Sequence, residues 1–230
     1  RVPHRRRSLL PGPHMAVLRK LTGRTTTPVL VPDDAPAIDG SARILQWLEQ
    51  RWPEPPLMPA DAADRAEALR IESWFDEDLT PRIRRAVLDA LLRQPAAFAG
   101  VFADGRASLE RLAYACAVPL AAPLIRKGNG IAGPATIDDG LHAAQQALDF
   151  VAERAAPGGY LVGGRFGLAD LGAASTLAVL AQPPDSPMAG PQPYGAAFAA
   201  LLQRFDAHPG IAWTRRLYAR HRGASRDFDG

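Results

Sequence analysis

The proline-rich stretch RWPEPPLMPADAA, at residues 51–63, constrains the fold more than any other segment of this chain. Proline fixes φ, lacks an N–H donor and pushes the preceding residue into an extended conformation. Neither a helix nor a central strand can therefore continue through Pro53, Pro55, Pro56 and Pro59. The stretch predicts a stiff linker and a domain boundary.

The sequence patterns differ on the two sides of this linker. Before it, short apolar runs alternate with Pro, Gly and Asp, which is typical of strands and turns; after it, apolar residues recur at helical spacing without a strand pattern. We predict an α+β domain over residues 1–50, the linker over 51–63, an all-α domain over 64–222 and a tail over 223–230.

The amino-terminal segment predicts several short elements. Residues 4–10 favour a strand that ends at a Pro-Gly-Pro turn, and residues 14–22 favour a short helix. Residues 29–31 and 37–38 favour a small hairpin, and a helix is predicted from Ser41 onward.

The helical segment predicts helices that each bury one apolar face. Pro81 either kinks the helix predicted over 64–93 or opens a second helix capped by Thr80. Within 107–126, Cys116 shares a stripe with four leucines, which predicts an inert buried thiol. The residues of the two predicted stripes are Leu69, Ile71, Trp74, Phe75, Leu79, Ile83, Val87 and Leu91, and then Leu109, Leu112, Cys116, Leu120 and Leu124.

The segment GRFGLADL, at residues 164–171, predicts a helix start. Gly167 can serve as the N-cap, and the Asp170 side chain can reach back to the Gly167 N–H as in a capping box. This is a folding signal and predicts no catalysis.

Composition argues against several classes of function. The net charge is only +3, and the basic amino-terminal residues have no aromatic residues among them for base stacking, so we expect no nucleic-acid partner. We also expect no membrane partner, because no apolar run reaches the length of a membrane span. Cys116 is the only cysteine, which favours a reducing cytoplasm, and the five histidines show no metal-ligand spacing.

Four motifs, in this order, resemble the cytosolic glutathione transferase family of bacterial type. They are TTPVLV at 26–31, IDGSARILQWLEQRWPEPPLMP at 38–59, FGLADL at 166–171 and FDAHPGIAWTRRLYARHR at 205–222. The resemblance covers nearly the whole chain. It implies a thioredoxin-like amino-terminal domain followed by the all-helical carboxy-terminal domain of that family.

The resemblance implies a glutathione site at five residues. Thr27-Pro28 would be a cis bond that turns the Thr27 backbone toward the cysteinyl backbone of glutathione, and the alternative is a trans proline at an edge strand. The helix start at Ser41 would bind the γ-glutamyl carboxylate, although Ser41 can equally be a plain N-cap. Gly40 stands where the family usually has an acidic residue for the ligand's ammonium group. Either Asp39 reaches round through Gly40, or that contact is lost.

The family's activating Ser, Tyr or Cys follows its first strand, and residues 2–10 resemble the segment after the first helix instead. We therefore expect about 25 residues of a βαβ unit to be absent and the sequence to be a fragment of a longer protein. Ser8 and His4 fall on or beside the wrong strand, so no catalytic residue is assigned. The absence of a strand would leave a loose amino-terminal remnant beside the folded helical domain.

The implied reaction is attack of the glutathione thiolate on a small, largely apolar electrophile. Trp74, Phe75 and Tyr114 are candidates to line a substrate cleft between the domains, although such aromatic residues are commonly core residues. The resemblance also implies a homodimer. The alternatives are a non-catalytic relative that binds ligands or dimerises, and isomerase or dehalogenase chemistry with the same cofactor.

Overall fold

The computed structural model describes residues 4–5, 7, 9–103, 106–155, 159–184, 186, 189 and 194–222. The chain divides into two compact units, with the boundary between Leu57 and Met58. This boundary lies inside the proline-rich segment 51–63. Below, the two parts are called the amino-terminal unit and the helical unit.

The amino-terminal unit contains two helices and a two-stranded antiparallel sheet. Helix α1 is His14–Thr22, strand β1 is Val29–Leu30, strand β2 is Ile38–Asp39 and helix α2 is Ser41–Arg51. The short helix, the hairpin and the helix from Ser41 agree with the prediction, since each is determined by local turn and periodicity signals.

The strand predicted over residues 4–10 is not observed. The described residues of this segment adopt no regular secondary structure, and Arg6 and Ser8 lie outside the described residues. The physical reason is a missing partner, because a strand needs a neighbouring ladder and the sheet formed by the described residues consists of β1 and β2 alone.

The helical unit contains no strand among its described residues, as predicted. Its helices pack around one apolar core, to which Phe75, Leu148 and Leu177 contribute fully buried side chains. The helices are α3 Ala62–Ser73, α4 Thr80–Leu92, α5 Pro95–Phe102, α6 Ser108–Gly128, α7 Pro134–Arg154, α8 Leu168–Ala181, α9 Ala196–Phe205 and α10 Pro209–His221.

Pro81 is accommodated by a change of helix type. A π-helical turn, Trp74–Leu79, joins α3 directly to α4 and places Pro81 in the first turn of α4. A widened turn tolerates the missing N–H donor, so the backbone stays helical through both elements. Thr80 does not cap α4; its hydroxyl lies 2.6 Å from the hydroxyl of Thr176.

The start of α8 has the predicted capping box. The Gly167 N–H donates to Oδ2 of Asp170 at 3.0 Å, and the Leu161 N–H donates to Oδ1 at 2.9 Å. Asp170 has no solvent exposure. Burial raises the pKa of this carboxyl to about 6, against the effect of the backbone N–H donors. Asp170 thus fixes both the helix start and the preceding turn.

The predicted burial of the α6 stripe is wrong. Leu109, Leu112, Leu120 and Leu124 are 62–87% exposed, and Cys116 is exposed as well. Helix α6 packs on the core through its other face, where Val118 is only 2% exposed. The helical periodicity correctly identified an apolar face of α6, but this face is exposed, and the helix packs against the core through the face that contains Val118.

Two further observations concern apolar helix surfaces. Leu69 of α3 is 43% exposed, whereas the other residues of the stripe predicted over 64–93 lie in or against the core. By length and composition, α6 is the one helix among the described residues that could cross a membrane, and 6% of its apolar window is buried.

Candidate functional site

The β1–β2 hairpin brings the two halves of the predicted site together. Val29 pairs with Asp39 and Leu30 with Ile38, so the residue before β1 lies opposite the residue after β2. The Gly40 N–H donates to the Pro28 carbonyl at 3.1 Å. Ser41, the first residue of α2, therefore comes directly after Gly40, which is hydrogen-bonded to the residue that precedes β1.

The Thr27–Pro28 peptide bond is cis, as the family resemblance implied, and the alternative of a trans proline is not observed. Thr27 is exposed. Within the described part of the chain, neither its N–H nor its carbonyl has a hydrogen-bond partner. One N–H donor and one carbonyl acceptor are thus available next to the hairpin, in the arrangement that an added extended peptide would use.

The amino end of α2 has unpaired backbone donors. The first intrahelical bond runs from the Ile44 N–H to the Gly40 carbonyl at 3.1 Å, which leaves the N–H groups of residues 41–43 without partners among the described residues. No side chain caps this helix, and its first turn has no acidic residue. Donors of this kind, at the positive end of a helix dipole, favour a bound anion.

Ser41 is half-buried at the first position of α2. Its hydroxyl has no hydrogen-bond partner among the described residues, so the residue is not acting as an N-cap here. Gly40 is the N-cap, and its φ of +85° favours glycine. The Ser41 hydroxyl and the adjacent N–H groups can together hold a carboxylate.

Asp39 is buried and its carboxylate is paired within the protein. The residue is 7% exposed, and the carboxylate forms ion pairs with Arg43 and with Arg24, whose Nε lies 3.3 Å from Oδ2. Arg43 Nε also donates to the Asp39 carbonyl at 2.9 Å. Sequence reasoning missed both arginines, although the four-residue spacing of Asp39 and Arg43 was a usable signal.

The three candidate cleft residues lie in the helical unit, in two groups. Trp74 contacts Phe75 and Phe150 edge to face, with ring centroids 5.5 and 5.1 Å apart, and Phe75 is fully buried in the core. Tyr114 packs beside Phe98, with ring centroids 6.2 Å apart. Burial raises the pKa of the Tyr114 hydroxyl to about 12.

A separate apolar cavity of about 300 Å³ lies in the helical unit. Side chains of α4, α5, α6 and α9 line it, among them Val101, Arg111 and Phe198. None of Trp74, Phe75 and Tyr114 is among the described residues that line this cavity. The cavity is therefore lined by other side chains than the three cleft candidates that the sequence indicated.

Comparisons with known proteins bear on this arrangement. Residues 1–56 match the family described as "Glutathione S-transferase, N-terminal domain". No curated protein gives a significant sequence match.

Two solved structures share the fold. A glutathione S-transferase from Rhodospirillum rubrum F11 is 19% identical, with a TM-score of 0.55, and the match covers 90% of this chain and 72% of that one. The β-etherase LigF from Sphingobium sp. strain SYK-6 is 22% identical, with a TM-score of 0.50, and the match covers 89% of this chain and 83% of that one.

The resemblance that the sequence motifs indicated is thereby confirmed. Residues 1–56 match the amino-terminal domain of the glutathione S-transferase family, and the chain has the fold of the solved glutathione S-transferase from Rhodospirillum rubrum F11, a partial thioredoxin-like domain followed by an all-helical domain.

Proposed function

We propose that this chain binds glutathione in the notch formed by Thr27, Pro28 and the amino end of α2, and uses its thiolate on a small apolar electrophile. The observation that supports this most strongly is the Gly40–Pro28 hydrogen bond, because it holds the unpaired Thr27 backbone beside the uncapped helix. The Thr27 backbone groups, which can pair with an extended peptide, thus lie beside the N–H groups at the start of α2, which can bind a carboxylate.

The ligand's groups fit these donors in one direction. The γ-glutamyl carboxylate accepts hydrogen bonds from the N–H groups of residues 41–43 and from the Ser41 hydroxyl. The cysteinyl backbone of glutathione pairs with the Thr27 N–H and carbonyl, like one more strand residue. Its thiol then projects away from α2, toward the electrophile.

Of the two alternatives that the sequence left open for Asp39, we propose the second, in which its contact with the ligand's ammonium group is lost. Its carboxylate pairs with Arg24 and Arg43, so it holds two cations near the amino end of α2 and leaves the ligand's ammonium group without a partner. An analogue of glutathione without the α-amino group should therefore bind as tightly as glutathione. Much weaker binding of the analogue would show that Asp39 turns toward the ligand.

The helix-end contact is tested by placing a negative charge in the first turn of α2. Ala42 is exposed, and Ala42→Glu should preserve the helix, since acidic residues are favourable at this end. Repulsion of the ligand carboxylate should weaken glutathione binding at least about fivefold in isothermal titration calorimetry, which corresponds to about 1 kcal/mol.

The matched control is Ala135→Glu. Ala135 is also the exposed second residue of a helix, α7, whose first turn has no acidic residue. This variant should bind glutathione as the unmodified protein does. Equal binding by both variants would place the ligand elsewhere.

The Ser41 hydroxyl has its own paired test. Ser41→Ala should weaken binding about tenfold, because a hydrogen bond to a charged group contributes about 1.5–3 kcal/mol. Ser108→Ala changes the first residue of α6, which also lacks a side-chain cap, and should leave binding unchanged. A loss of binding in both variants would indicate a general effect on folding.

A non-catalytic ligand-binding or dimerisation protein is the second candidate, and Gly40 in the usual acidic position favours it. Turnover of chlorodinitrobenzene with glutathione distinguishes the two: a transferase consumes both compounds, whereas a binding protein retains glutathione without conjugation. We further propose that the protein acts in the cytoplasm as a homodimer, as the family resemblance implies.

A further inference from the structure

The cavity in the helical unit has apolar walls, but its lining also includes polar side chains. It is called the α5 cavity below, and the residues that bound it include Leu91, Gln94, Ala97, Arg111, Tyr194 and Phe198. Its volume of about 300 Å³ lies at the lower end of the range for small-molecule sites. This volume suits a compound with a small ring system better than a peptide.

One wall of the α5 cavity is aromatic. Tyr194 and Phe198 pack edge to face, with ring centroids 5.5 Å apart, and Phe198 is 2% exposed. Small residues of α5 leave the space open, since Ala97 and Gly100 also line the cavity. An aromatic ligand can therefore pack against these rings, and aromatic pairs are favourable beyond the apolar area that they bury.

Gln94 gives the α5 cavity a buried hydrogen-bond acceptor. Its side-chain oxygen is buried and has no hydrogen-bond partner among the described residues. The side chain does not cap α5 either, although Gln94 is the N-cap residue of that helix. Gly195 leaves room for this oxygen, because a Cβ at position 195 would overlap it. Buried polar atoms nearly always have a partner, so the Gln94 oxygen indicates a ligand that donates a hydrogen bond.

Arg111 supplies a positive charge to the α5 cavity. The residue is exposed, so it lies where the cavity opens to solvent. Its guanidinium forms no ion pair or hydrogen bond within the described part of the chain, and the neighbouring Glu110 pairs with Arg106 at 4.0 Å instead. None of the described residues that line the cavity is acidic. A guanidinium in this setting favours a carboxylate, which it can bind through two parallel N–H donors.

We propose that the α5 cavity binds a small aromatic carboxylic acid that also has a hydroxyl group. The ring system packs against Tyr194 and Phe198, the carboxylate pairs with Arg111, and the hydroxyl donates to the Gln94 oxygen. Every described lining residue belongs to the helical unit, so this site does not depend on the notch proposed for glutathione. The acid is a further ligand of the protein and is not consumed by the proposed transferase reaction.

The first test compares three naphthalene compounds by isothermal titration calorimetry on the full chain. The probe 6-hydroxy-2-naphthoate has both polar groups, whereas 2-naphthoate lacks the hydroxyl and 2-naphthol lacks the carboxylate. The probe should bind at one site, and the other two compounds should each bind about fivefold more weakly, because each lacks one hydrogen-bonding group. No binding of the probe at about 1 mM, or equal binding of all three compounds, would overturn the proposal.

The variant Arg111→Met tests the carboxylate contact. Methionine keeps an unbranched apolar chain without the charge, so the affinity for the probe and for 2-naphthoate should fall about fivefold. The affinity for 2-naphthol should stay the same, which also shows that the variant is folded. Arg216→Met is the control, since Arg216 is an exposed helical arginine outside the cavity lining, and it should change none of the three affinities. An equal fall for 2-naphthol, or the same losses in Arg216→Met, would contradict the proposal.

The variant Gln94→Leu tests the hydroxyl contact. Leucine has a similar size without the acceptor, so the affinity for the probe and for 2-naphthol should fall about fivefold, and that for 2-naphthoate should not change. Gln203→Leu is the control, because Gln203 is an exposed residue of α9 outside the cavity lining. A Gln94→Leu variant that still prefers the probe to 2-naphthoate would overturn the proposal. The probe should bind Ser41→Ala as it binds the unmodified protein, so failure of the α5 cavity and failure of the glutathione site give different results.

Discussion

The capping carboxylate Asp170 gives the sharpest stability prediction. Asp170→Ala removes the acceptor of two backbone donors, the N–H groups of Gly167 and Leu161, at 3.0 and 2.9 Å. All three residues are buried, so both donors are left in the protein interior without their acceptor. The variant should fold into the same structure with a lower free energy of unfolding.

The magnitude follows from the two orphaned donors. Each buried N–H left without a partner costs about 1–3 kcal/mol. Removing a desolvated carboxylate recovers part of this loss when the group is ionised. We therefore expect Asp170→Ala to lower the free energy of unfolding by about 3 kcal/mol at pH 7, a large share of the 5–15 kcal/mol typical of a folded protein.

The loss should depend on pH. Burial raises the pKa of Asp170 from 3.8 to about 6 in the folded protein, so the folded state holds this proton more tightly than the unfolded state. The stability contributed by Asp170 is therefore greatest at low pH and falls as the pH rises from about 4 to about 6. The difference between the unmodified protein and Asp170→Ala should be larger at pH 5 than at pH 7, by on the order of 1 kcal/mol.

Urea unfolding followed by far-ultraviolet circular dichroism measures both effects. Asp76→Ala is the control, because Asp76 is an exposed carboxylate on the π-helical turn, and it should change stability by less than about 0.5 kcal/mol. A loss below 1 kcal/mol for Asp170→Ala would refute the capping argument. A difference that is identical at pH 5 and pH 7 would refute the raised pKa.

Two further predictions concern the helical core. A Cβ at Gly140 would lie 2.5 Å from a backbone carbonyl oxygen of α4, so Gly140→Ala should lower the free energy of unfolding, measured with urea, by about 2 kcal/mol. Gly128→Ala is the control: a Cβ there has no atom within 4 Å, and the variant should change the free energy of unfolding by less than about 1 kcal/mol. Burial opposes ionisation of Asp89, but the ion pairs with Arg126 and Arg93 outweigh it and lower the pKa of this carboxyl. Asp89→Asn should therefore lower the free energy of unfolding by about 3 kcal/mol at pH 7. The loss should become progressively smaller below pH 4, because protonation of Asp89 breaks the ion pairs in the unmodified protein as well.

The sequence predicted best those features that depend on neighbouring residues. The capping box at Gly167 and Asp170 needs only a three-residue spacing, and the hairpin that joins Pro28 to Gly40 needs only a turn between two short apolar runs. The cis bond before Pro28 followed from the family resemblance, which aligned this segment with a known strand opening.

The errors arose where a pattern does not specify its partner. Apolar periodicity in α6 identified a face that avoids water, but it could not indicate whether the same chain or another molecule covers Leu120. The segment 4–10 had a strand-like composition without a partner strand among the described residues. The pairing of Asp39 with Arg24 depends on a fold that brings separate segments together, which spacing alone does not reveal.

The most direct measurement of the proposed glutathione site is a titration of the ¹⁵N-labelled chain with reduced glutathione, followed by amide chemical shifts. The amides of Thr27 and of residues 41–43 should shift together and saturate at one millimolar-range concentration, and Ala42→Glu should raise that concentration at least about fivefold. Saturable shifts confined to other residues, or none at millimolar glutathione, would contradict the assignment of the notch beside Pro28 as the binding site.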